Sequence, residues 1–287
     1  VGYPGGKNGA GVYQTIINLM PPHDVYVEPF LGGGAVMRLK RPALVNIGLD
    51  LDAGAVRRFR RWLGDHRNLK TAIAGASADL AAYGDNAGAV SLNRLLVLSS
   101  ARRDRASLKP SSVDVARFQI FRRDAISYLL KYPWAGGELV YCDPPYMHET
   151  RGRADLYQHE MSDAQHLELL KVLRDLPCRV ICSGYWTALY ACELAGWKTK
   201  VFNTTNRAGK KTTEWLWFNF PEPVALHDYR YLGSNFRERE RIKRKKLRWV
   251  ARLQRMPILE KRALLSAIDA VGGLELAGAG DGARGEV

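Results

Sequence analysis

The stretch Val25-Tyr26-Val27-Glu28-Pro29-Phe30-Leu31-Gly32-Gly33-Gly34-Ala35-Val36-Met37 reads as a short strand, a tight glycine turn and the start of a helix. A second strand follows at Ala43 to Leu49, ends on Asp50-Leu51-Asp52 and runs into an Ala/Arg-rich helix. Strands that alternate with helices in this way imply a parallel sheet. After a gap the rhythm resumes at Phe118-Gln119-Ile120-Phe121, and Asp124 opens a helix from Ala125 to Leu130. The strand Glu138 to Cys142 then delivers Asp143-Pro144-Pro145-Tyr146 at its carboxyl end. In open α/β sheets that is the end where ligands bind.

Ser162-Asp163 caps an amphipathic helix carrying Leu167, Leu169, Leu170 and Leu173, and a further strand runs from Arg179 to Ser183. Trp197 to Phe202 and Glu214 to Phe220 read as two arms of a hairpin around Asn206-Arg207-Ala208-Gly209. The expected fold is therefore α/β, a Rossmann-like sheet of seven strands with a helical insertion and a basic C-terminal helical extension. Residues 1–60 and 115–222 form the expected core. Residues 61–114, Ala-rich and without a strong strand signal, are an inserted region that ends in the basic loop Arg102-Arg103-Asp104-Arg105-Ala106-Ser107-Leu108-Lys109. Residues 223–276 form the extension and the Gly-rich residues 277–287 a disordered tail.

The extension begins with a capping-box-like Asn235 and Glu238, and Pro257 opens a second helix expected to end near Gly272-Gly273. Its first helix is expected to lay Ile242, Val250, Leu253 and Met256 on the core. It also carries Arg241, Lys243, Arg244, Lys245 and Lys246 among its many basic residues. A solvated charged face or a dimer contact is left open for it.

Lys and Arg number 43 against 29 Asp and Glu, a formal charge of +14 with pI near 9.7. So large and so concentrated an excess points to a polyanionic partner, foremost nucleic acid. No run approaches the roughly 20 apolar residues of a membrane span, so no membrane partner is expected. The four cysteines, Cys142, Cys178, Cys182 and Cys192, form no CxxC pair and stand at no zinc-ligand spacing to a histidine. Neither a metal site nor a disulfide framework is indicated, and a cytoplasmic setting fits. The start, Val1 to Lys7, has no apolar core behind a basic head and reads as a trimmed terminus rather than a secretory signal.

Glycines between strand and helix say only that a backbone must approach something closely. The spacing is neither GxGxxG nor a phosphate loop ending in GK[ST], so the pyrophosphate readings lose ground. Asp50, at the end of the second strand, stands where a carboxylate accepts hydrogen bonds from ribose hydroxyls, although Asp50 or Asp52 capping the next helix is the plainer alternative. Two prolines after Asp143 fix its backbone, which suggests a preorganised acceptor with an aromatic ring beside it.

These residues together resemble the Dam-like, D12-class DNA adenine N6-methyltransferases, and the likeness runs from about Tyr3 to Asn219. Pro4-Gly5-Gly6-Lys7 matches the family's amino-terminal GGK element, and Glu28 to Val36 matches its EPFxGGGAV signature. Asp50 corresponds to its ribose acid, Asp124 to an acid near the cofactor adenine, and Asp143-Pro144-Pro145-Tyr146 to its catalytic loop. Two departures stand beside these matches: Asp52 replaces a commoner Asn, and Arg123-Asp124 a commoner Gly-Asp. Tyr157, Asp163 and His166 resemble the family's YxxxF…DHxxL region, and Thr213-Glu214-Trp215-Leu216 its closing TEhL element.

The resemblance implies S-adenosyl-L-methionine as cofactor, no metal, and double-stranded DNA as partner. The implied cofactor-binding set is Tyr3, Gly6, Lys7, Glu28, Pro29, Phe30, Gly32, Gly33, Gly34, Asp50, Asp124 and Asp143. An adenine amino group is a poor nucleophile, because its lone pair is delocalised into the ring. A catalyst must therefore draw on its N–H hydrogens. Asp143 and the Pro144 carbonyl would do so while Tyr146 stacks on the extruded base. Arg102, Arg103, Arg105 and Lys109 are expected to contact DNA, as are Arg241, Lys243, Arg244, Lys245 and Lys246. The hairpin signature of GATC-specific members has no match between Arg61 and Ser112, so a GATC target does not follow. RNA adenine or cytosine as substrate, a non-catalytic DNA-binding role, a homodimer and a restriction system are left open.

Overall fold

The computed structural model describes residues 6–65, 116–150, 159–205 and 211–278. The chain divides into two compact units, Val1–Asn235 and Phe236–Val287. In the first unit the described elements run α1 (Val12–Ile17), β1 (Val25–Glu28), α2 (Ala35–Leu39), β2 (Val45–Asp50), α3 (Ala53–Asp65) and β3 (Arg117–Arg122). They continue with α4 (Ala125–Lys131), β4 (Leu139–Cys142), α5 (Asp163–Asp175), β5 (Arg179–Gly184), α6 (Ala188–Glu193), β6 (Lys198–Thr205) and β7 (Lys211–Phe218).

The seven strands form one sheet in the order β3-β2-β1-β4-β5-β7-β6. The first five are parallel, and β7 runs antiparallel to both β5 and β6. This is the expected Rossmann-like seven-stranded sheet. The chain steps from β1 through β2 to β3 on one side, then crosses to β4 on the other. The crevice between the carboxyl ends of β1 and β4 is thus the topological switch point.

Both sheet faces are covered, which explains why β4 is buried at every residue. Alternation sends Tyr26, Tyr141, Ile181, Leu216 and Phe218 to one face, where Ile16, Ile17, Met37 and Phe59 of α1, α2 and α3 pack. The other face carries Val27, Val140, Cys142, Val180, Cys182 and Trp217 against Leu129 of α4, Leu169, Leu170 and Leu173 of α5, and Tyr190 of α6. Trp217 is thus core, and Trp215 stacks beside it at 5.8 Å. The caps read from sequence are present: Asp124 accepts from the Ser127 N–H at 2.8 Å, and Ser162 and Gln165 form a reciprocal capping box.

The segment after Pro221, expected in the extension, packs on the first unit as far as Asn235. The Asp228 carboxylate accepts from the Arg41 N–H at 2.8 Å and pairs with Arg230 at 2.7 Å. The Tyr231 hydroxyl donates to the Leu39 carbonyl at 3.1 Å. A short polar segment without hydrophobic periodicity carries no sequence sign of where it docks.

The second unit holds α7 (Phe236–Arg255) and α8 (Ile258–Gly278). Ile242, Leu253 and Met256 are half-buried, whereas Trp249 and Val250 are exposed. The helix α8 does not stop at Gly272-Gly273 as expected but continues to Gly278. Each mid-helix glycine costs about 1 kcal/mol against alanine, and the Leu-Glu-Leu-Ala that follows favours the helix enough to carry it through. Among the described residues no helix is long and apolar enough to cross a membrane.

Candidate active site

At the carboxyl end of β1 the chain turns through Pro29 to Gly34 and enters α2. Gly32 and Gly34 take left-handed conformations, with φ of 49° and 61°. The Leu31 N–H donates to the Leu49 carbonyl at 2.8 Å, which ties the turn to β2. Asp50 finishes the job: one carboxylate oxygen accepts from the Gly32 N–H at 2.7 Å, the other from the Asp52 N–H at 2.8 Å. Asp50 therefore shapes the glycine turn and also faces the cleft, where an ionised carboxylate keeps further acceptor capacity. Capping falls to Asp52, which accepts from the Gly54 N–H at 2.6 Å and pairs with Arg58 at 3.1 Å.

A side chain at position 34 would meet both a strained φ and the ring of the fully buried Phe59. Gly34→Ala is expected to cost roughly 2–4 kcal/mol, the sum of left-handed strain and overpacking. The urea midpoint measures it; an unchanged midpoint would contradict this account of the turn.

At the carboxyl end of β4, Asp143 sits in a buried polar cluster. Lys7, 4% exposed, places its ammonium 2.8 Å from Asp143 Oδ1 and 3.0 Å from Glu214 Oε1, and also donates to the Tyr146 hydroxyl. The Tyr146 hydroxyl in turn donates to Glu214 Oε1 at 2.9 Å. Ser183 Oγ donates to the same Asp143 Oδ1 at 2.9 Å and lies 3.0 Å from the Tyr141 hydroxyl. Burial works against the Lys7 charge, but Asp143 and Glu214 more than offset it and hold the ammonium well above its ordinary range. Among the described residues no protein group donates to Asp143 Oδ2.

Three members of this cluster, Ser183, Tyr141 and Glu214, had no functional reading from the residues alone; Glu214 entered only through the resemblance. Their signal lies in strand register. Cys142 pairs with Cys182, so Ser183 stands beside Asp143. On β7 the alternation that buries Leu216 and Phe218 brings Glu214 to the same face.

Between these two turns lies an open cleft, lined by residues of both. Gly6, Lys7, Glu28, Pro29, Phe30, Gly32, Gly33, Gly34, Asp50, Asp124, Asp143, Pro144 and Pro145 all line it. Nearly the whole expected cofactor set is thus brought together. Tyr3 lies outside the described residues, as do Tyr157 and the loop bearing Arg102, Arg103, Arg105 and Lys109. Tyr146 does not line the cleft. It is 8% exposed, with its ring 4.4 Å from that of Tyr185, so the stacking surface expected of it is largely covered. Its hydroxyl bonds explain this, since they draw the ring inward.

The cleft walls carry five carboxyl groups, Glu28, Asp50, Asp124, Asp143 and Glu160, against the cations Lys7 and Arg123. An acidic cleft in a chain of net charge +14 fits a ligand bearing positive charge and disfavours a phosphate. Phe30, Leu51, Ile126 and Met161 add apolar walls suited to a purine. Burial pushes the Glu28 carboxyl up to about 8, and burial also raises Asp50. These features fit S-adenosylmethionine, whose sulfonium and ammonium need acidic neighbours and whose nucleoside needs apolar ones. Among the described residues no group of His, Cys, Asp and Glu side chains is arranged to hold a metal ion.

A family model described as D12 class N6 adenine-specific DNA methyltransferase matches residues 99–207. No match was found among the curated proteins. Similar solved structures include a putative methyltransferase from Streptococcus mutans in complex with SAH, 10% identical, covering 74% of this chain and 99% of that one, with a TM-score of 0.40. An rRNA methylase from Streptococcus thermophilus is 9% identical over 74% of this chain and 96% of that one, with a TM-score of 0.39. A precorrin 8W decarboxylase from Methanobacterium thermoautotrophicum is 14% identical over 76% and 94%, with a TM-score of 0.41. The likeness to the D12 class read from the motifs recurs in the family match over residues 99–207.

Proposed function

We propose that this chain methylates the exocyclic N6 amino group of adenine in DNA, with S-adenosylmethionine as donor. The observation that carries the reading is the state of Asp143, which lines the acidic cleft: Lys7 and Ser183 fix Oδ1, while among the described residues no group donates to Oδ2, which can accept from the substrate. When bound, S-adenosylmethionine supplies a methyl group on a positively charged sulfur. Glu28 and Asp50 would receive its cationic and hydroxyl groups, and the Gly32–Gly34 turn lets its chain lie against backbone. Asp124 lines the same cleft from the start of α4.

The chain's own part in transfer is to position and to accept. Asp143 Oδ2 and the Pro144 carbonyl each accept one amino N–H, which favours a pyramidal nitrogen whose lone pair can attack. As the nitrogen lone pair forms the new N–C bond, the S–CH3 bond would break with its electron pair left on sulfur, giving the neutral thioether. The methylated nitrogen, now cationic and acidic, passes one proton to Asp143, so no strong base is needed. Tyr146 and Glu214, tied to Lys7, keep the Asp143 loop from shifting during the approach. A duplex base must leave its stack to reach this depth.

Labelled S-adenosylmethionine offered with separate DNA and RNA pools tests the reading, followed by digestion to nucleosides. Label at N6 of deoxyadenosine supports it; label on RNA alone overturns the substrate, and no label on either overturns the enzyme.

Glu28 makes cofactor binding depend on pH. A carboxyl raised to about 8 holds its proton at neutrality in the free protein. A cation seated against it favours the carboxylate, so binding releases a proton and strengthens as pH rises. Affinity should therefore rise from about pH 6 to about pH 8, by at most roughly tenfold per unit, and then level. Calorimetric titration in buffers of different ionisation heat reads the proton release. Glu28→Gln should bind with a flat profile; a flat profile in the parent would refute the linkage.

A further inference from the structure

The basic residues of α7 are not spread evenly round the helix. This helix of 20 residues carries ten Arg and Lys against Glu238 and Glu240 alone, a net +8 of the chain's +14. At about 100° per residue, Arg237, Arg241, Arg244, Arg248, Arg252 and Arg255 fall within an arc of about 80°. Every residue in that stripe is arginine. Lys243 and Lys246 lie on other sides of the helix, so the set expected from sequence, Arg241 with Lys243 to Lys246, does not form one face. Phe236, Arg237, Glu240, Arg241, Arg244 and Arg248 line one surface groove, so four of the six arginines share a side of the helix.

A merely solvated helix would set acids among these bases at spacings of three and four. The helix has only Glu238 and Glu240 as acids, paired with Arg241 and Lys243 at 3.7 Å in exposed positions, and Arg248, Arg252 and Arg255 have no acid at either spacing. The stripe therefore stands as a row of like charges that repel one another, and a polyanion relieves the repulsion. The choice of arginine narrows the anion further, since its planar fork grips phosphate oxygens two at a time where lysine offers a point charge. Six forks over about 27 Å match a row of backbone phosphates, and a single α-helix fits the major groove of a duplex.

We propose that the arginine stripe of α7 binds the phosphate backbone of duplex DNA without reading its sequence. The choice of DNA rests on the methyl-transfer reading; the charge argument does not. Binding of the full chain to a duplex of arbitrary sequence, with no methyl donor present, is measured against salt. Replacing Arg237, Arg241, Arg244 and Arg248 together with Gln, which keeps helix propensity, should lower the slope of log affinity against log salt by about 3–4. Lys243→Gln with Lys246→Gln should change it by less than one.

Far-UV circular dichroism checks that both variants stay helical; if the fourfold variant does not, Arg241→Gln with Arg248→Gln replaces it, with an expected fall of about 2. An unchanged slope overturns the proposal. Equal loss per charge from either face overturns the stripe, and a larger effect on duplex RNA than on DNA overturns the partner. Because no methyl is transferred in this assay, its failure leaves the catalytic reading standing, and the reverse also holds.

Discussion

Asp143→Asn should lower the turnover number about 10²–10⁴-fold while leaving cofactor affinity within a few-fold. The substitution keeps the shape of the side chain and removes its charge and one acceptor. If the amide turns its NH2 toward Lys7 and Ser183, two or three donors face one another. If it turns the NH2 outward, the substrate amine meets a donor where it needs an acceptor. In the first orientation the outward oxygen still accepts, but without the charge and against a clash with Lys7 and Ser183; in the second the acceptor itself is lost. Ser183→Ala offers a graded comparison. It deletes one of the two donors on Oδ1 at a buried position and should cost about tenfold, because the hydrogen bond is made to a charged group. Single-turnover methylation of a DNA substrate measures both. An Asp143→Asn protein that turns over at the parental rate would sink the assignment of this loop as the catalytic centre.

Much of that centre is legible in the amino-acid sequence. The strand, the glycine turn and the helix after it are contiguous, so their periodicity shows in the residues from Val25 to Met37. The Asp-Pro-Pro-Tyr loop is visible for the same reason, since the prolines and the acid that they fix are neighbours in sequence. What escaped depends on relations between distant segments. Ser183 stands beside Asp143 only because β5 pairs with β4 in one register. Tyr185 closes over Tyr146 only because β5 ends where it does. The division of labour between Asp50 and Asp52 turns on which carboxylate meets which N–H, and both orders satisfy the same sequence. In α7 the charge and the spacing of the arginines both lie in the sequence, and the structure adds the one unbroken helix, Phe236–Arg255, that the stripe requires.

Lys7 carries the second large effect, and it concerns stability as much as rate. Its ammonium is the cation that Asp143 and Glu214 share, and all three side chains are largely shielded from water. Lys7→Met removes the charge but keeps much of the volume. Two carboxylates are then left within a few ångströms of the vacated position, without the charge that made their burial tolerable. Breaking a buried pair from one side typically costs about 3–5 kcal/mol, and the urea midpoint should fall accordingly.

The protein can relieve part of this by keeping a proton on the acid pair, which raises an apparent pKa of the pair toward neutrality. Activity that survives should therefore fall as pH drops through a higher value than in the parent, since the pair must lose that proton to act as an acceptor. Adding Glu214→Gln removes one of the repelling charges and a buried anion together. In the Lys7→Met background it should thus restore stability, whereas alone it should destabilise by leaving the ammonium with one partner fewer. That reversal of sign is the signature of a shared cation. Additive losses in the double variant would mean that Lys7 and Glu214 act independently, and that the contact between them is not what holds the Asp143 loop in place.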